Sequence, residues 1–371
     1  MKVVTVFGTR PEIIRLSEVV RRLDPFCEHV LVHTGQNSDP LLSDVFFSDL
    51  QSRQPDTHLG VTTSSFAEQA GQIIARVGEE FAVRKPDRVL ILGDTNSGLA
   101  AFVAARMGIP VFHMEAGNRC YDDRVPEEVN RRVIDHASTI LLPYTQRSKE
   151  NLVREGIERD RIFVTGNPIF EVLEAHRDRI EASDVHQRLG LQPSGYVLVT
   201  LHRAENVDDP RRLGQFLAVL SRVADDQACP VAVSVHPRTR AKLREFRLSP
   251  ESSRVRLLDP LGFLDFVKLE KQARLVMSDS GTVQEECAIF RVPNVTLRDV
   301  TERPETIECG SNILSGAGTE DVLRAVRLAL AAPPAWTAPE EYLATNVAST
   351  VARIVLGYLS LRRHGSTIPV A

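Results

Sequence analysis

The chain has 371 residues, of which 43% are hydrophobic and 25% are charged, and its formal net charge is −4. This composition is typical of a globular protein in water, and the length favours two domains over a single core. Lysine and arginine are mixed with aspartate and glutamate along the whole chain, and no apolar run reaches membrane-spanning length, so we expect neither a nucleic-acid partner nor a membrane.

Short apolar runs alternate with helical patterns twice along the chain, which predicts parallel sheets flanked by helices. The first set of predicted strands is Val3–Phe7, His29–His33, Val89–Leu92, Val111–Met114, Thr139–Leu142 and Ile162–Val164. The second set is Tyr196–Leu201, Val231–Val235, Val255–Leu258, Leu275–Ser278 and Asn294–Leu297. We therefore predict two Rossmann-like, doubly wound α/β domains, residues 1–167 and 168–345, with a helix at about 346–371 that packs back on the first domain.

The turn after the first predicted strand has the features of an anion-binding site. Its sequence is Gly8-Thr-Arg-Pro-Glu12, with the proline at a suitable first helical position. A helix amino terminus offers backbone N–H donors to a phosphate, and Arg10 adds a guanidinium that suits a diphosphate. The chain has no Gly-x-Gly-x-x-Gly after a strand, so the usual nicotinamide fingerprint is missing.

A second turn of this kind follows the predicted strand Leu275–Ser278. Ser280 and Gly281 stand there at a helix start, where hydroxyl and backbone donors can hold phosphate oxygens. Glu286, about a turn and a half along that helix, is placed to reach ribose hydroxyls, although glutamate is also ordinary on a helix surface. Arg303 supplies another cation near the sheet edge. Together the two turns predict a nucleotide diphosphate as the ligand.

Three carboxylates are the candidate acids and bases. Asp94 and Glu115 each follow a predicted strand, and open α/β sheets bind ligands at the carboxyl edge of their strands. Glu127 lies next to Pro126, which suits a helix start, so helix capping is the alternative role of this glutamate. An aspartate after a strand is likewise an ordinary turn residue. Carboxylates that converge from separate elements favour general acid–base chemistry over these local roles.

The histidines and cysteines are the other potentially reactive side chains of this sequence. His202 and His236 follow successive strands of the second set, and equivalent strand ends favour a site over the structural role that a single histidine usually has. His113 belongs to no recognisable zinc-ligand pattern, so we predict no metal. The five cysteines are far apart and form no Cys-x-x-Cys pair. With no signal-peptide pattern at the amino terminus, they predict reduced thiols in the cytoplasm.

A set of short segments, in this order, resembles the non-hydrolysing UDP-N-acetylglucosamine 2-epimerase family over nearly the whole chain. The segments are Gly8-Thr-Arg-Pro-Glu12, Gly93-Asp-Thr95, His113-Met-Glu-Ala-Gly117, Pro126-Glu-Glu-Val-Asn-Arg131, His202-Arg203, Asp279-Ser-Gly281, Gln284-Glu-Glu286 and Thr301-Glu-Arg-Pro-Glu305. The resemblance implies the two-domain GT-B fold, with the domains facing a cleft, and a homodimer. It also implies inversion at C2 of a UDP-linked N-acetyl-hexosamine through loss and re-addition of UDP, without a cofactor.

The resemblance also implies roles for individual residues. The positions that match the catalytic residues of the family are Asp94, Glu115, Glu127 and His202. The positions that match its UDP contacts are Arg10, His202, Ser280, Gly281, Glu286 and Arg303, with Phe266 at the uracil-stacking position. His236 is a further substrate-binding candidate, and Arg15 and Arg131 are additional candidate site residues.

Three departures from the better-known members bear on the substrate. The chain has Arg15 where they have lysine, Gln36-Asn37 where they have Gln-His, and Thr282 where they have a second glycine. These features are similar to the capsule and O-antigen branch, which forms UDP-N-acetyl-L-fucosamine or L-quinovosamine. A hydrolysing 2-epimerase, a GT-B glycosyltransferase that needs an acceptor, and a non-catalytic nucleotide-sugar sensor remain as alternatives.

Overall fold

The computed structural model describes residues 1–36, 40–63 and 65–358, apart from the side chains of residues 40–44. The chain divides into two compact units. The first comprises Met1–Ala175 and the described chain from Glu341 onward, and the second comprises His176–Glu340. The division falls after Ala175, whereas the sequence placed it after residue 167. Asn37 and the part of the predicted last helix beyond residue 358 lie outside the described residues.

The first unit contains a six-stranded sheet in the order β3-β2-β1-β4-β5-β6. Its strands are β1 Lys2–Phe7, β2 Glu28–His33, β3 Thr57–His58, β4 Arg88–Leu92, β5 Val111–Met114 and β6 Ile140–Leu142. Every pairing is parallel, and the central strands are buried on both faces, as expected of apolar Val/Ile/Leu runs covered by helices. The prediction of a strand at Ile162–Val164 was wrong: Ile162 forms only an isolated bridge with Leu141.

The helices of the first unit follow their strands in doubly wound order. They are α1 Arg10–Leu23, α2 Pro40–Asp49, α3 Phe66–Arg84, α4 Ala100–Arg106, α5 Pro126–Ala137, α6 Gln146–Arg154 and α7 Ile169–Ala175, with 3-10 turns at Asn96–Leu99 and Arg159–Arg161. Helix α1 has an apolar stripe of Ile13, Leu16, Val19 and Val20 at helical spacing, all buried. Burial of that stripe fixes which face of the helix packs on the sheet. Because α1 directly follows β1 in the chain, the Gly8–Thr9 turn lies at the carboxyl edge of the sheet.

The second unit repeats this arrangement with the order β12-β11-β10-β7-β8-β9. Its strands are β7 Val197–Leu201, β8 Val231–Val235, β9 Val255–Leu258, β10 Leu275–Ser278, β11 Asn294–Thr296 and β12 Asn312–Leu314. Its helices are α8 Arg177–Glu181, α9 Val185–Leu189, α10 Ala204–Val207, α11 Pro210–Asp226, α12 Pro237–Glu245, α13 Phe263–Lys271, α14 Gly281–Phe290, α15 Pro304–Glu308 and α16 Thr319–Ala329. Sequence analysis missed β12 because three residues that begin with asparagine carry no periodic signal.

The last described elements belong to the first unit. They are the 3-10 turn Glu340–Leu343 and helix α17 Val347–Gly357, which packs against α1. The Arg88 guanidinium, at the start of β4, donates to the carbonyls of Val355 and Tyr358 and so satisfies the end of α17. At its start, the Ala348 N–H donates to Glu171 Oε2 at 2.8 Å. Within the described ranges, no helix combines the length and apolarity needed to span a bilayer.

Candidate functional site

The turn between β1 and α1 is built around Glu12. The Glu12 carboxylate accepts hydrogen bonds from the N–H of Gly8 at 2.6 Å, from the N–H of Thr9 at 2.8 Å and from Thr95 Oγ1 at 2.6 Å. Gly8 must be glycine because a Cβ at this position would overlap the hydroxyl oxygens of Thr34 and Ser97. Glu12 thus ties the predicted anion-binding turn to the turn that carries Asp94.

Glu12 is almost fully buried, and burial raises the pKa of its carboxyl to about 7, although the donors from Thr95, Gly8 and Thr9 each act to lower it. In the protonated form one oxygen can donate to Thr95 while the other accepts from the backbone. Sequence analysis quoted Glu12 only as part of a motif. The spacing Thr9-x-x-Glu12 is the signature of a capping box, and it is the sequence feature that could have identified Glu12.

The raised pKa of Glu12 predicts a specific pH dependence of stability. An unfolded chain ionises this carboxyl near pH 4.5 and the folded chain near 7, so the wild type loses stability relative to Glu12→Gln as the pH rises through that window. Glutamine can keep the contacts with Thr95 and with the two backbone N–H groups without ionising. At 1.36 kcal/mol per pKa unit, we expect the difference in the free energy of unfolding to change by about 2–3 kcal/mol between pH 5 and pH 8. Urea unfolding at the two pH values measures it, and equal differences would contradict it.

Asp94 follows β4 and is held by helix α5. Arg131 donates to Asp94 Oδ2 from Nε at 2.8 Å and from Nη2 at 2.6 Å, and Asn130 donates to the Asp94 carbonyl at 3.0 Å. Nη1 of the same arginine donates to Glu128 Oε2 at 2.7 Å. The Asp94 side chain is 22% exposed, whereas that of Arg131 is 4% exposed. The buried arginine therefore orients the carboxylate, which still reaches solvent.

Glu115 follows β5 and has a left-handed backbone conformation, with φ +65°. Its carboxylate forms an ion pair with Arg15 from helix α1 and accepts a hydrogen bond from Asn118 Nδ2 at 3.3 Å. The Arg15 guanidinium also lies over the Tyr144 ring, 5.6 Å from its centroid. A non-glycine residue with positive φ is uncommon and costs about 1–3 kcal/mol. The surrounding contacts therefore hold Glu115 in an unfavourable geometry that aims its side chain at Arg15.

Glu127 and Glu128 occupy the first turn of α5, and the structure separates their roles. Glu128 is buried and accepts from the N–H of Cys120 at 3.1 Å and of Tyr121 at 3.0 Å, so it holds the preceding loop. Glu127 is half-buried at the second position of the helix. The Cys120 thiol also donates to Glu128. This contact is consistent with a structural role for the cysteine.

A buried charged network supports the loop that follows Glu115. His113 Nδ1 lies 2.8 Å from Asp135 Oδ1, and its Nε2 lies 2.9 Å from the Gly93 carbonyl. Arg119 pairs with Asp135 at 2.8 Å and with Glu155 at 2.6 Å. Burial opposes ionisation of Asp135, but His113 and Arg119 outweigh it and lower its pKa. Within the described ranges, no cluster of three or more His, Cys, Asp or Glu side chains is arranged to hold a metal ion.

In the second unit, Asp279 organises the strand end that carries His202. The buried Asp279 carboxylate accepts from the backbone N–H of His202 and of Arg203, each at 3.0 Å, and from Asn206 Nδ2 at 3.0 Å. His202 Nδ1 lies 3.0 Å from its other oxygen. Burial alone would raise the pKa of Asp279, but the His202 ring and these donors hold it well below its usual range.

His202 and His236 lie close together in the second unit, with ring centroids 6.0 Å apart. His236 is the residue before helix α12, and its Nδ1 accepts from the Arg238 N–H at 3.2 Å. This N-cap contact holds the His236 ring in place. The His202 ring is held by its contact with Asp279, the residue after β10. The two histidines that sequence analysis selected from equivalent strand ends are therefore neighbours.

The predicted phosphate turn lies at the start of α14. Gly281 is its first residue, and the hydroxyl of Ser280 lies 2.9 Å from that of Thr282. A Cβ built on Gly281 would lie 3.7 Å from the Arg303 guanidinium, so the cation stands beside this turn. Arg303 forms a buried ion pair with Glu285, which sequence analysis did not select. The structure thus brings Ser280, Gly281 and Arg303 together.

Two further predicted binding residues lie on helices α13 and α14. Phe266 is half-buried and packs against an apolar cluster that includes Leu198 and Leu269. Glu286 is 5% exposed and lies on α14 five residues after Gly281. In the first unit, Arg10 begins α1, and its guanidinium lies 5.6 Å from the centroid of the Phe46 ring.

Two doubly wound parallel sheets in tandem, one in each unit, are the architecture of the GT-B fold class. Residues 21–356 match the family described as UDP-N-acetylglucosamine 2-epimerase. The UDP-N-acetylglucosamine 2-epimerase of Methanocaldococcus jannaschii is 38% identical over 350 residues, which cover 91% of this chain and 95% of that protein. The UDP-2,3-diacetamido-2,3-dideoxy-D-glucuronate 2-epimerase of Pseudomonas aeruginosa is 36% identical over 336 residues, covering 89% and 92%.

A solved structure agrees with these sequence matches. The crystal structure of the Methanocaldococcus jannaschii UDP-GlcNAc 2-epimerase in complex with UDP-GlcNAc and UDP superposes with a TM-score of 0.92 at 37% identity, covering 96% of this chain and 99% of the other. The chain belongs to the UDP-N-acetylglucosamine 2-epimerase family and is an isomerase. The predicted family and fold class are confirmed.

Proposed function

We propose that this protein interconverts UDP-N-acetylglucosamine and UDP-N-acetylmannosamine. A base removes the C2 proton, the C1–O bond breaks with its electron pair leaving on UDP, and a glycal with a C1–C2 double bond remains. UDP then adds back to C1 while an acid delivers a proton to the opposite face of C2. The observation that carries the proposal is the pair of strand-end carboxylates, Asp94 and Glu115, each held by a buried arginine.

The residue roles follow from the chemistry that each group can perform. A C2 proton beside an acetamido group is weakly acidic, so abstraction needs a positioned carboxylate, and delivery to the other face needs a second acid. We assign this chemistry to Asp94, Glu115 and Glu127, with His202 as the fourth catalytic group. Arg131 and Arg15 act by orienting the first two carboxylates.

The remaining site residues are proposed to bind the nucleotide. Arg303 and the N–H groups at the start of α14 provide charge and donors for the diphosphate, as such helix termini do generally. Phe266 offers its ring to the uracil, and Glu286 offers acceptors to the ribose hydroxyls. The other members of this binding set are Arg10, His236, Ser280 and Gly281.

Proton NMR in D₂O tests the function directly. The protein is incubated with UDP-GlcNAc alone, and we expect deuterium at C2 together with UDP-ManNAc. Stoichiometric release of UDP and free N-acetylmannosamine would instead indicate a hydrolysing epimerase. Turnover that appears only after addition of a sugar acceptor would indicate a glycosyltransferase. UDP binding without exchange at C2 of any sugar would indicate a sensor.

A second substrate class belongs in the same experiment. Arg15 replaces the lysine of better-known members and contacts the candidate acid Glu115 directly, so the departure lies at the proposed reacting centre. It favours a related sugar such as UDP-N-acetyl-L-fucosamine, formed by C2 inversion in the capsule and O-antigen branch. The Pseudomonas relative, whose name specifies a diacetamido-glucuronate, acts on a sugar other than GlcNAc. Exchange only with UDP-N-acetyl-L-fucosamine would assign the L-sugar substrate.

The proposed setting of this activity is a homodimer in the cytoplasm. Both features are expected from the resemblance to the family, and the cytoplasmic setting also agrees with the dispersed cysteines, none of which is in a disulfide among the described residues. Sedimentation of the purified protein measures the assembly state. A monomer at micromolar concentration would contradict the dimer.

A further inference from the structure

Helices α13 and α14 of the second unit meet at a pair of buried carboxyl groups. Glu270 on α13 is 0% exposed and Glu286 on α14 is 5% exposed. The two carboxyls lie close enough for a side-chain hydrogen bond, and the Cys287 thiol lies 3.5 Å from Glu270 Oε1. Two carboxylates without a proton between them repel, so this contact is stable only when one of them is protonated.

The surroundings indicate that Glu270 is the protonated partner. Its Oε2 is buried, and no hydrogen bond reaches that atom from the described residues. An ionised oxygen left without a donor in an apolar interior costs several kcal/mol, whereas a protonated oxygen can donate to Glu286. Burial first, and then the negative charge of Glu286, raise the pKa of Glu270 well above its usual value.

We propose that Glu270 is a positioning residue for nucleotide binding, whose protonated carboxyl donates to Glu286 and thereby aims the Glu286 carboxylate at the ribose hydroxyls. This inference rests on the proposed function, in which Glu286 binds the ribose. Phe266, the proposed uracil-stacking residue, lies one turn before Glu270 on the same face of α13. One helix thus carries both the ring for the base and the group that orients the ribose ligand.

Other titratable groups lie close to this pair. From α14 the pair meets Cys287, and burial raises the pKa of that thiol well above its usual value. It also faces Tyr196, the residue before β7. The Tyr196 hydroxyl donates to the Leu269 carbonyl at 2.5 Å and lies 3.1 Å from His186 of α9. Burial, as the largest cause, raises the pKa of Tyr196.

Two further charged groups lie near the same helix. Lys268 of α13 pairs with Glu181 of α8 at 2.5 Å, and the side chain of that lysine is 10% exposed. Arg303 pairs with Glu285 of α14. Each of these charges has its own partner. The proton between the two buried glutamates is therefore the group whose loss we expect to follow pH.

Calorimetric titration with UDP tests the inference between pH 6 and pH 10. The proteins are the wild type, Glu270→Gln, Glu270→Ala and, as a matched control on the surface, Glu251→Gln. Glutamine is a permanent donor of the same shape, so Glu270→Gln should bind as the wild type does at pH 6 and keep that affinity at high pH. The UDP affinity of the wild type should fall about tenfold or more as the pH rises and the shared proton is lost.

The alanine variant has no donor, so we expect about tenfold weaker UDP binding at every pH, rescued by glutamine. Because UDP itself titrates equally in all samples, the ratio of affinities between variants is the readout. Parallel pH profiles for the wild type and Glu270→Gln, or equal affinities for the alanine and glutamine variants, would overturn the inference. A wild type that does not bind UDP at all would overturn the proposed function instead. Circular dichroism and melting curves establish that each variant is folded.

Discussion

Replacing Asp94 by asparagine is expected to reduce deuterium exchange at C2 by about 10²–10⁴-fold, the usual contribution of a positioned acid or base. Asparagine has nearly the same shape and still accepts a hydrogen bond from Arg131, but it cannot take up a proton. The arginine also keeps its contact with Glu128 at 2.7 Å, so no buried cation is left without an acceptor. Proton NMR in D₂O with UDP-GlcNAc, or with the sugar nucleotide that shows exchange, gives the rate.

Asp160→Asn is the matched control, because Asp160 is an exposed carboxylate in the first unit. The Asp160→Asn variant should catalyse deuterium exchange at C2 of the sugar at the wild-type rate. UDP affinity is measured on both variants, and we expect it to be unchanged because the proposed UDP ligands lie mostly in the second unit. Exchange within threefold of wild type in Asp94→Asn would remove this residue from the proposed acid–base set.

Replacing Asp279 by alanine is expected to destabilise the second unit by about 3–5 kcal/mol, the range seen when one partner of a buried pair is removed. The substitution would leave three donors without their acceptor: the N–H groups of His202 and Arg203 and the side-chain amide of Asn206. It also frees the His202 ring, so activity at temperatures where the protein is folded should fall as well. Chemical unfolding with a fluorescence signal measures the loss of stability.

The matched control for this prediction is Asp259→Ala, since the Asp259 side chain is 91% exposed although it contacts Arg240. Exposed ion pairs contribute about 0–1 kcal/mol, so this variant should unfold close to the wild type. Equal losses in the two variants would contradict the central role assigned to Asp279.

The lowered pKa of Asp279 also fixes the sign of a pH effect. Because its folded-state pKa lies below the unfolded value, Asp279 contributes stability above the unfolded pKa, and that contribution is lost as the pH falls through the folded one. The Asp279→Asn variant lacks this titration. Its deficit relative to the wild type should therefore be largest at neutral pH and should shrink toward acidic pH.

The sequence alone determined the family, the two doubly wound sheets and the sheet edge at which the candidate acids lie. The strands β1 and β4 each contain at least four consecutive residues that are apolar or β-branched, so both burial and strand type are encoded locally. Asp94 and Glu115 were identified as candidate acids because a residue within two positions of the end of a parallel strand must lie at the carboxyl edge. The assigned roles of these residues stay predictions until the exchange experiments are done.

Tertiary structure decided which groups these residues meet. Glu115 finds Arg15 a hundred positions away in the chain, and Asp94 finds Arg131 thirty-seven positions away. The raised pKa values of Glu12 and Glu270 likewise depend on burial by segments distant in sequence. Local periodicity records whether a position faces the core. The charge state and aim of a buried carboxyl depend instead on desolvation and on partners that only the folded chain brings within hydrogen-bonding distance.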